Sequence, residues 1–266
     1  MQDLKVTLVQ TELVWEDIPA NLAELDKRLD TIDDRTHLIV LPEMFSTGFS
    51  MNAPALAETM EGSGVSWLLR QARKKHVDIT GSLIIEDQGH YFNRLIWAKP
   101  DGTLLTYDKK HLFRMSGEDK IYHEGSRLLT VTLNGWRIRP FVCYDLRFPV
   151  WTRNSGDPYD AALYVANWPT ARVNQWQTLL QARAIENQSY VIGVNRIGKD
   201  GNAVIYNGNS AVINPLGDIL CRKQDHAWIH TQPLSYAFLE NYRESFPAWM
   251  DRDREVDRLF HETPAD

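Results

Sequence analysis

Short apolar runs alternate along this chain with amphipathic stretches, and the two periods separate strands from helices. Leu4-Lys5-Val6-Thr7-Leu8-Val9-Gln10 alternates and is rich in β-branched residues, which predicts a first strand. Leu22, Leu25, Leu29 and Ile32 fall at helical spacing with charges between them. Leu38-Ile39-Val40-Leu41 reads as a buried strand, stopped by Pro42 and followed at once by Glu43. Val65, Leu68, Leu69 and Ala72 predict a second helix, with Lys74 and Lys75 near its C-terminus. Three strands are expected at 78–85, 93–99 and 103–107, divided by turn signals at Gln88-Gly89 and Asp101-Gly102. Segments 128–133 and 136–142 form a hairpin about Asn134-Gly135. Residues 161–166 are a buried strand closed by Asn167-Trp168-Pro169, and 175–187 a helix with Leu179, Leu180, Ala184 and Ile185 on its apolar side. Further strands fall at 191–195 and 210–214, with a turn at Pro215-Leu216-Gly217-Asp218.

Helices separated by groups of strands predict an α/β layered architecture with mixed sheets, because neighbouring strands are mostly hairpins. No repeat, low-complexity tract or flexible linker interrupts the chain, so residues 1–266 are expected to form a single domain. The tail from about Leu234 is charged and aromatic, with Tyr242, Phe246 and Trp249, which suits packing on the surface or on a partner subunit.

Composition narrows the function. Hydrophobic residues at 43% and charged residues at 24% are those of a globular enzyme-sized protein, and a net charge of −6 argues against nucleic-acid or anionic-membrane partners. There is no apolar run long enough to span a bilayer and no basic-then-apolar leader pattern at the start. Two cysteines, Cys143 and Cys221, are too few for a disulfide framework or a Cys-rich zinc site, and suit a reducing cytoplasm. The eight His residues are scattered without ligand spacing, and no Gly-rich phosphate loop is present, so neither a metal nor a cofactor is expected.

Three reactive residues each follow a predicted strand: Glu43, Lys109 and Cys143. Groups at strand ends can converge in one crevice. Cys143 stands where polar residues and Pro149 announce a helix start, where backbone N–H groups would lower a thiol pKa. Each residue alone also fits a plainer role: a small buried hydrophobe, a solvated loop carboxylate, a surface lysine beside Lys110. A Cys–His pair using His111 is a rival arrangement of the same thiol.

The runs Leu41-Pro42-Glu43-Met44-Phe45, Tyr107-Asp108-Lys109-Lys110-His111-Leu112-Phe113 and Cys143-Tyr144-Asp145-Leu146-Arg147-Phe148-Pro149 resemble the three signatures of the nitrilase superfamily of carbon–nitrogen hydrolases. A fourth run, Arg183-Ala184-Ile185-Glu186-Asn187-Gln188-Ser189-Tyr190-Val191, is similar too, and the resemblance covers the chain from the first strand to about Cys221. It implies a four-layer α-β-β-α sandwich with two mixed sheets, and a homodimer. It implies a catalytic Glu43, Lys109 and Cys143, with Lys109 preferred to Lys110 because the family lysine precedes the His of His-Leu-Phe by two residues, and that His is structural. A supporting second glutamate corresponds to Glu118, by its spacing to Tyr122 and Gly125. Cys143 would be the nucleophile, Glu43 the general acid/base, and Lys109 with the backbone N–H of Tyr144 would face the oxyanion.

Glu-Met-Phe, His-Leu-Phe-Arg-Met, Cys-Tyr-Asp-Leu-Arg-Phe-Pro and Ala-Asn-Trp-Pro bring the chain nearest to the ω-amidase branch. That implies hydrolysis of the terminal amide of α-ketoglutaramate or α-ketosuccinamate, in a setting that includes methionine salvage. Such a substrate needs a cation for its carboxylate, and Arg147 and Arg172 are the candidates, with Trp168 as a pocket wall. The plainer alternatives are that Arg147 ties the Cys loop, Arg172 lies in solvent and Trp168 is core. Alternative functions are a deaminated-glutathione amidase, an N-carbamoyl amidase or a nitrilase, or a non-catalytic binding module on the same fold.

Overall fold

The computed structural model describes residues 1–32, 35–155 and 158–253. The first sheet opens with β1 (Leu4–Gln10), and α1 (Ile18–Asp30) follows, its N-terminus capped by Asp17, which accepts from Ala20 N at 2.9 Å. β2 (Leu38–Val40) is fully buried, and after a loop and the short α2 (Ala53–Leu56) comes α3 (Ser63–Lys75). β3 (Asp78–Asp87), β4 (His90–Ala98) and β5 (Leu104–Asp108) form a meander on the other edge. The continuous apolar run at 38–41 has a physical cause: Leu38 and Val40 pack towards the second sheet, whereas Ile39 and Leu41 pack with Leu25, Leu29, Val65 and Leu68 of α1 and α3.

The second sheet is built from β6 (Val131–Leu133), β7 (Trp136–Val142) and, beyond α4 (Pro149–Thr152), β8 (Ala161–Ala166). α5 (Val173–Asn187) then leads to β9 (Tyr190–Asn195), β10 (Ile197–Lys199), β11 (Ile205–Ile213) and β12 (Ile219–Gln224). β13 (Trp228–Leu234) returns to the first sheet, and α6 (Tyr236–Ser245) and a 3₁₀ turn over Ala248–Asp251 follow it. Strand order is β13-β1-β2-β3-β4-β5 in one sheet and β10-β11-β9-β8-β7-β6 in the other, with β12 beside β11. β1, β2 and β3 pair in parallel, as do β7, β8 and β9, while the flanking pairs are antiparallel. With α1 and α3 outside one sheet and α5 outside the other, this is an α-β-β-α sandwich with two mixed sheets.

The structure departs from expectation in three places. β12 and β13 do not stand out in sequence because both are half-exposed along their length, and β13 carries Pro233, which an edge strand tolerates. The buried stripe of α5 runs through Trp176, Leu180 and Ala184, so Ile185 is 52% exposed rather than in the core. The aromatic tail begins as α6, whose Tyr236 packs edge-on to Trp136 at 5.2 Å between centroids. The remainder of the tail beyond residue 253 lies outside the described residues.

Candidate active site

β2, β3 and β5 run in one direction, since β4 is antiparallel to both of its neighbours, and their C-terminal ends share one end of the sheet. Glu43 lies just past β2, and Lys109 just past β5. Cys143 and Asn167 lie just past β7 and β8, which are parallel to each other. Both reactive turns are strained: Met44, next to Glu43, and Cys143 itself each have φ of 44°, a left-handed backbone that side chains with a Cβ avoid. Ser82 holds the first turn by accepting from Met44 N at 2.9 Å through its hydroxyl. The second is a single turn of 3₁₀ helix over Cys143–Arg147.

Glu43, Lys109 and Glu118 are almost completely inaccessible, at 0%, 1% and 0% exposure. Lys109 Nζ donates to Glu43 Oε1 at 3.0 Å and to both oxygens of Glu118 at 2.9 Å. Glu43 Oε1 also accepts from Asn93 Nδ2 at 2.7 Å, and Oε2 from the backbone N–H of Asn167 at 2.7 Å. Burial works against the Lys109 ammonium, but the two carboxylates together outweigh it and hold its pKa above the ordinary lysine value. Glu118 moves up as well. Burial and the facing Glu43 raise it, and one ammonium shared between two anions only partly compensates. The loop carrying Glu118 is pinned by Gly125, whose N–H donates to Lys109 O at 2.9 Å. A Cβ there would lie 2.0 Å from Asp108 O.

The Cys143 thiol is half-buried and lies in the field of Glu43 and Lys109. Burial and the Glu43 charge push its pKa well above the usual thiol value, against the opposing pull of Lys109. This corrects the expectation of a thiol acidified by a helix start. The turn after Cys143 is too short to carry an appreciable dipole, and desolvation dominates. Cys221 is the other free thiol, and burial raises it to about 11.

Asp145, two residues beyond the thiol, joins the Cys143 turn to the segment after β5 that carries Lys109. Its Oδ1 accepts from His111 N at 2.9 Å and contacts His111 Nδ1 at 2.8 Å; its Oδ2 accepts from the Tyr107 hydroxyl at 2.7 Å and from Val142 N at 3.1 Å. His111 stacks on Phe148 with centroids 3.7 Å apart. It is held by Asp145 rather than by the thiol, which removes the Cys–His rival. Asn93, Asp145 and Asn167 escaped sequence reasoning, although Asp145 and Asn167 both lie inside runs that carried the family resemblance.

A cavity of about 810 Å³ opens above the thiol, and Lys109, Cys143, Tyr144, Arg147, Trp168 and Arg172 all line it. Arg147 lies over the Trp168 ring at 5.1 Å and Arg172 over the Phe113 ring at 5.1 Å. Among the described residues neither meets a carboxylate. Trp168 is only 3% exposed, and its indole N–H donates to Arg172 O at 2.7 Å, so it serves wall and core together.

The fold and this cluster define a hydrolase of carbon–nitrogen bonds. The chain belongs to the carbon–nitrogen hydrolase family, whose profile matches residues 5–233, a longer stretch than the sequence motifs alone reach. It is 49% identical to the omega-amidase YafV of Escherichia coli strain K12, over 95% of this chain and 98% of that protein. It is 29% identical to a 2-oxoglutaramate amidase of Bacillus subtilis, over 92% of this chain and 96% of that one. A solved CN-hydrolase superfamily protein from Xanthomonas campestris, carrying an arsenic adduct in its active site, superposes with a TM-score of 0.93. It is 45% identical and covers 95% of this chain and 98% of its own.

Proposed function

We propose that this protein is an ω-amidase, hydrolysing the terminal amide of small keto-acid amides such as α-ketoglutaramate through a Cys143 thioester. The supporting observation is the cavity itself: a thiol, a carboxylate and an ammonium at its base, and two arginines without carboxylate partners among the described residues on its wall. Arg147 or Arg172 binds the substrate carboxylate, and Trp168 bounds the acyl chain.

Glu43 takes the thiol proton as sulfur bonds to the amide carbon. The oxygen that becomes negative lies against Lys109 and the backbone N–H of Tyr144. Glu43 returns the proton to nitrogen as the C–N bond breaks, and ammonia leaves a thioester. Glu43 then deprotonates the water that attacks the thioester, and the proton passes back to sulfur as the carboxylic acid departs. Glu118 holds Lys109 in place and does not react.

The same reading places the enzyme in the cytoplasm, in keeping with two free thiols, and treats residues 1–266 as one domain. It makes the protein a homodimer through exposed Phe246, Trp249 and Met250 near Ile185. A monomer at micromolar concentration by light scattering would remove the dimer. The decisive experiment measures ammonia release from α-ketoglutaramate by the wild type and by Cys143→Ala. Rapid release abolished by the substitution is expected. Release that survives it, or efficient hydrolysis of another amide with none of this one, overturns the reading.

A further inference from the structure

Asn167 makes every contact its carboxamide nitrogen can use and leaves its oxygen without a partner. Nδ2 donates to the backbone oxygen of Glu43 at 2.7 Å and reaches Glu43 Oε2 at 3.5 Å. A carbonyl oxygen only accepts, so the nitrogen must occupy that side and the orientation of the amide is fixed. Oδ1 is therefore turned away from Glu43, and it is buried with no hydrogen-bond partner. The residue is 4% exposed and lines the cavity that holds Cys143.

The position has no slack to relieve this. Asn195 grips the following residue from both ends, accepting from Trp168 N at 2.8 Å and donating to Trp168 O at 3.0 Å. The Asn167 backbone N–H is itself committed to Glu43. A buried, oriented acceptor left empty costs free energy unless something bound there supplies a donor. A substrate that reacts at Cys143 with Glu43 as its acid places its leaving nitrogen on this side of the carbonyl carbon.

We propose that Asn167 Oδ1 accepts a hydrogen bond from the NH₂ of the substrate carboxamide, making Asn167 a specificity residue that selects primary amides over esters of the same acid. The inference rests on the amidase reading and deepens it. A leaving group without an N–H leaves Oδ1 unpaired, and sites built around such a contact discriminate strongly against analogues that lack it.

The test separates this contact from a role in holding Glu43, which a structural account of Asn167 would predict. Glu43 serves both acylation and deacylation, but the amide nitrogen has left before deacylation begins. Wild type, Asn167→Ala and the milder Asn167→Ser are compared with α-ketoglutaramate and with the p-nitrophenyl ester of the same acyl group. The ester burst counts competent Cys143 sites, so every rate refers to folded enzyme, and its steady phase reads deacylation. Both steps should slow through the lost hold on Glu43, and acylation by the amide should fall by about ten- to a hundredfold more than deacylation, with Asn167→Ser between wild type and Asn167→Ala. Equal losses in the two steps would overturn the contact and leave Asn167 as a support for Glu43. A wild type that turns over the ester but no amide would instead overturn the amidase reading, and this contact with it.

Discussion

Asp145→Asn tests whether one buried carboxylate holds the Cys143 turn in register with the segment that carries Lys109. The change keeps shape and volume but replaces one acceptor oxygen with an NH₂ group. Four groups now meet the two oxygens, His111 N and Nδ1 on one and the Tyr107 hydroxyl and Val142 N on the other. With the NH₂ towards His111, the ring can switch tautomer and accept, but the backbone N–H of His111 is stranded. With it towards Tyr107, the N–H of Val142 is stranded instead. Either way one buried backbone donor is orphaned, at about 1–3 kcal/mol, and the remaining bonds lose the strength of an ionic acceptor. The sum is roughly 3–5 kcal/mol, which for a chain of this length lowers Tm by on the order of 10 °C. Cys143 sits two residues away, and a displacement of about 1 Å there costs on the order of a hundredfold in kcat. A thermal melt and steady-state kinetics on the purified variant suffice. A variant that melts within about 2 °C of wild type and keeps its kcat would refute the reasoning.

Lys109→Met leaves Glu43 and Glu118 facing each other without their shared cation. Stability should fall by about 3–5 kcal/mol and kcat by about a hundredfold or more. Because Glu118 already sits above its ordinary pKa, the stability deficit against wild type should shrink as pH falls and the carboxylates take up protons, as denaturant melts across pH would show. Gly125→Ala drives a Cβ into Asp108 O and should abolish soluble expression or cost at least about 3 kcal/mol, read by chemical denaturation. In Cys143→Ala, Cys221 is the sole thiol, raised by burial to about 11. Its alkylation should be slow at pH 8 and climb towards pH 11, and the stability its neutral form supplies below pH 9 should be lost over that interval, because the unfolded thiol ionises first.

The catalytic candidates were legible because each follows a predicted strand and lies in a run that resembles a family signature. A strand buried on both faces reads as uninterrupted Leu, Ile and Val, and the charged residue that breaks it falls at the sheet's end by construction, as with Glu43 after 38–41. Asn93 had no such signal. It sits within β4, where a lone polar residue reads as a solvent-facing position, and only its opposition to Glu43 and Glu118 across the sheet end gives it meaning. Asn167 read as a strand terminator, a role it also fills. Arg147 and Arg172 could not be placed from sequence, since a guanidinium on a loop is equally at home in solvent. Their position over Trp168 and Phe113 depends on loops from distant parts of the chain meeting.

The upward shifts of Glu118 and of Cys143 share an origin: burial disfavours their charged forms, and one ammonium cannot neutralise two carboxylates and a thiolate crowded at the base of the cavity. A site meant to hold a standing thiolate would be built the other way, with surplus positive charge. In the proposed mechanism the sulfur becomes negative only as Glu43 becomes neutral, so transfer of the thiol proton leaves the net charge of the cluster unchanged. The next step keeps the same balance, because charge moves from sulfur to the carbonyl oxygen within reach of Lys109. No stage then requires solvent to reorganise around new charge, which is where preorganised groups gain most over water. In that mechanism the raised thiol pKa ties the activation of Cys143 to the proton transfer to Glu43 that accompanies attack on a bound electrophile.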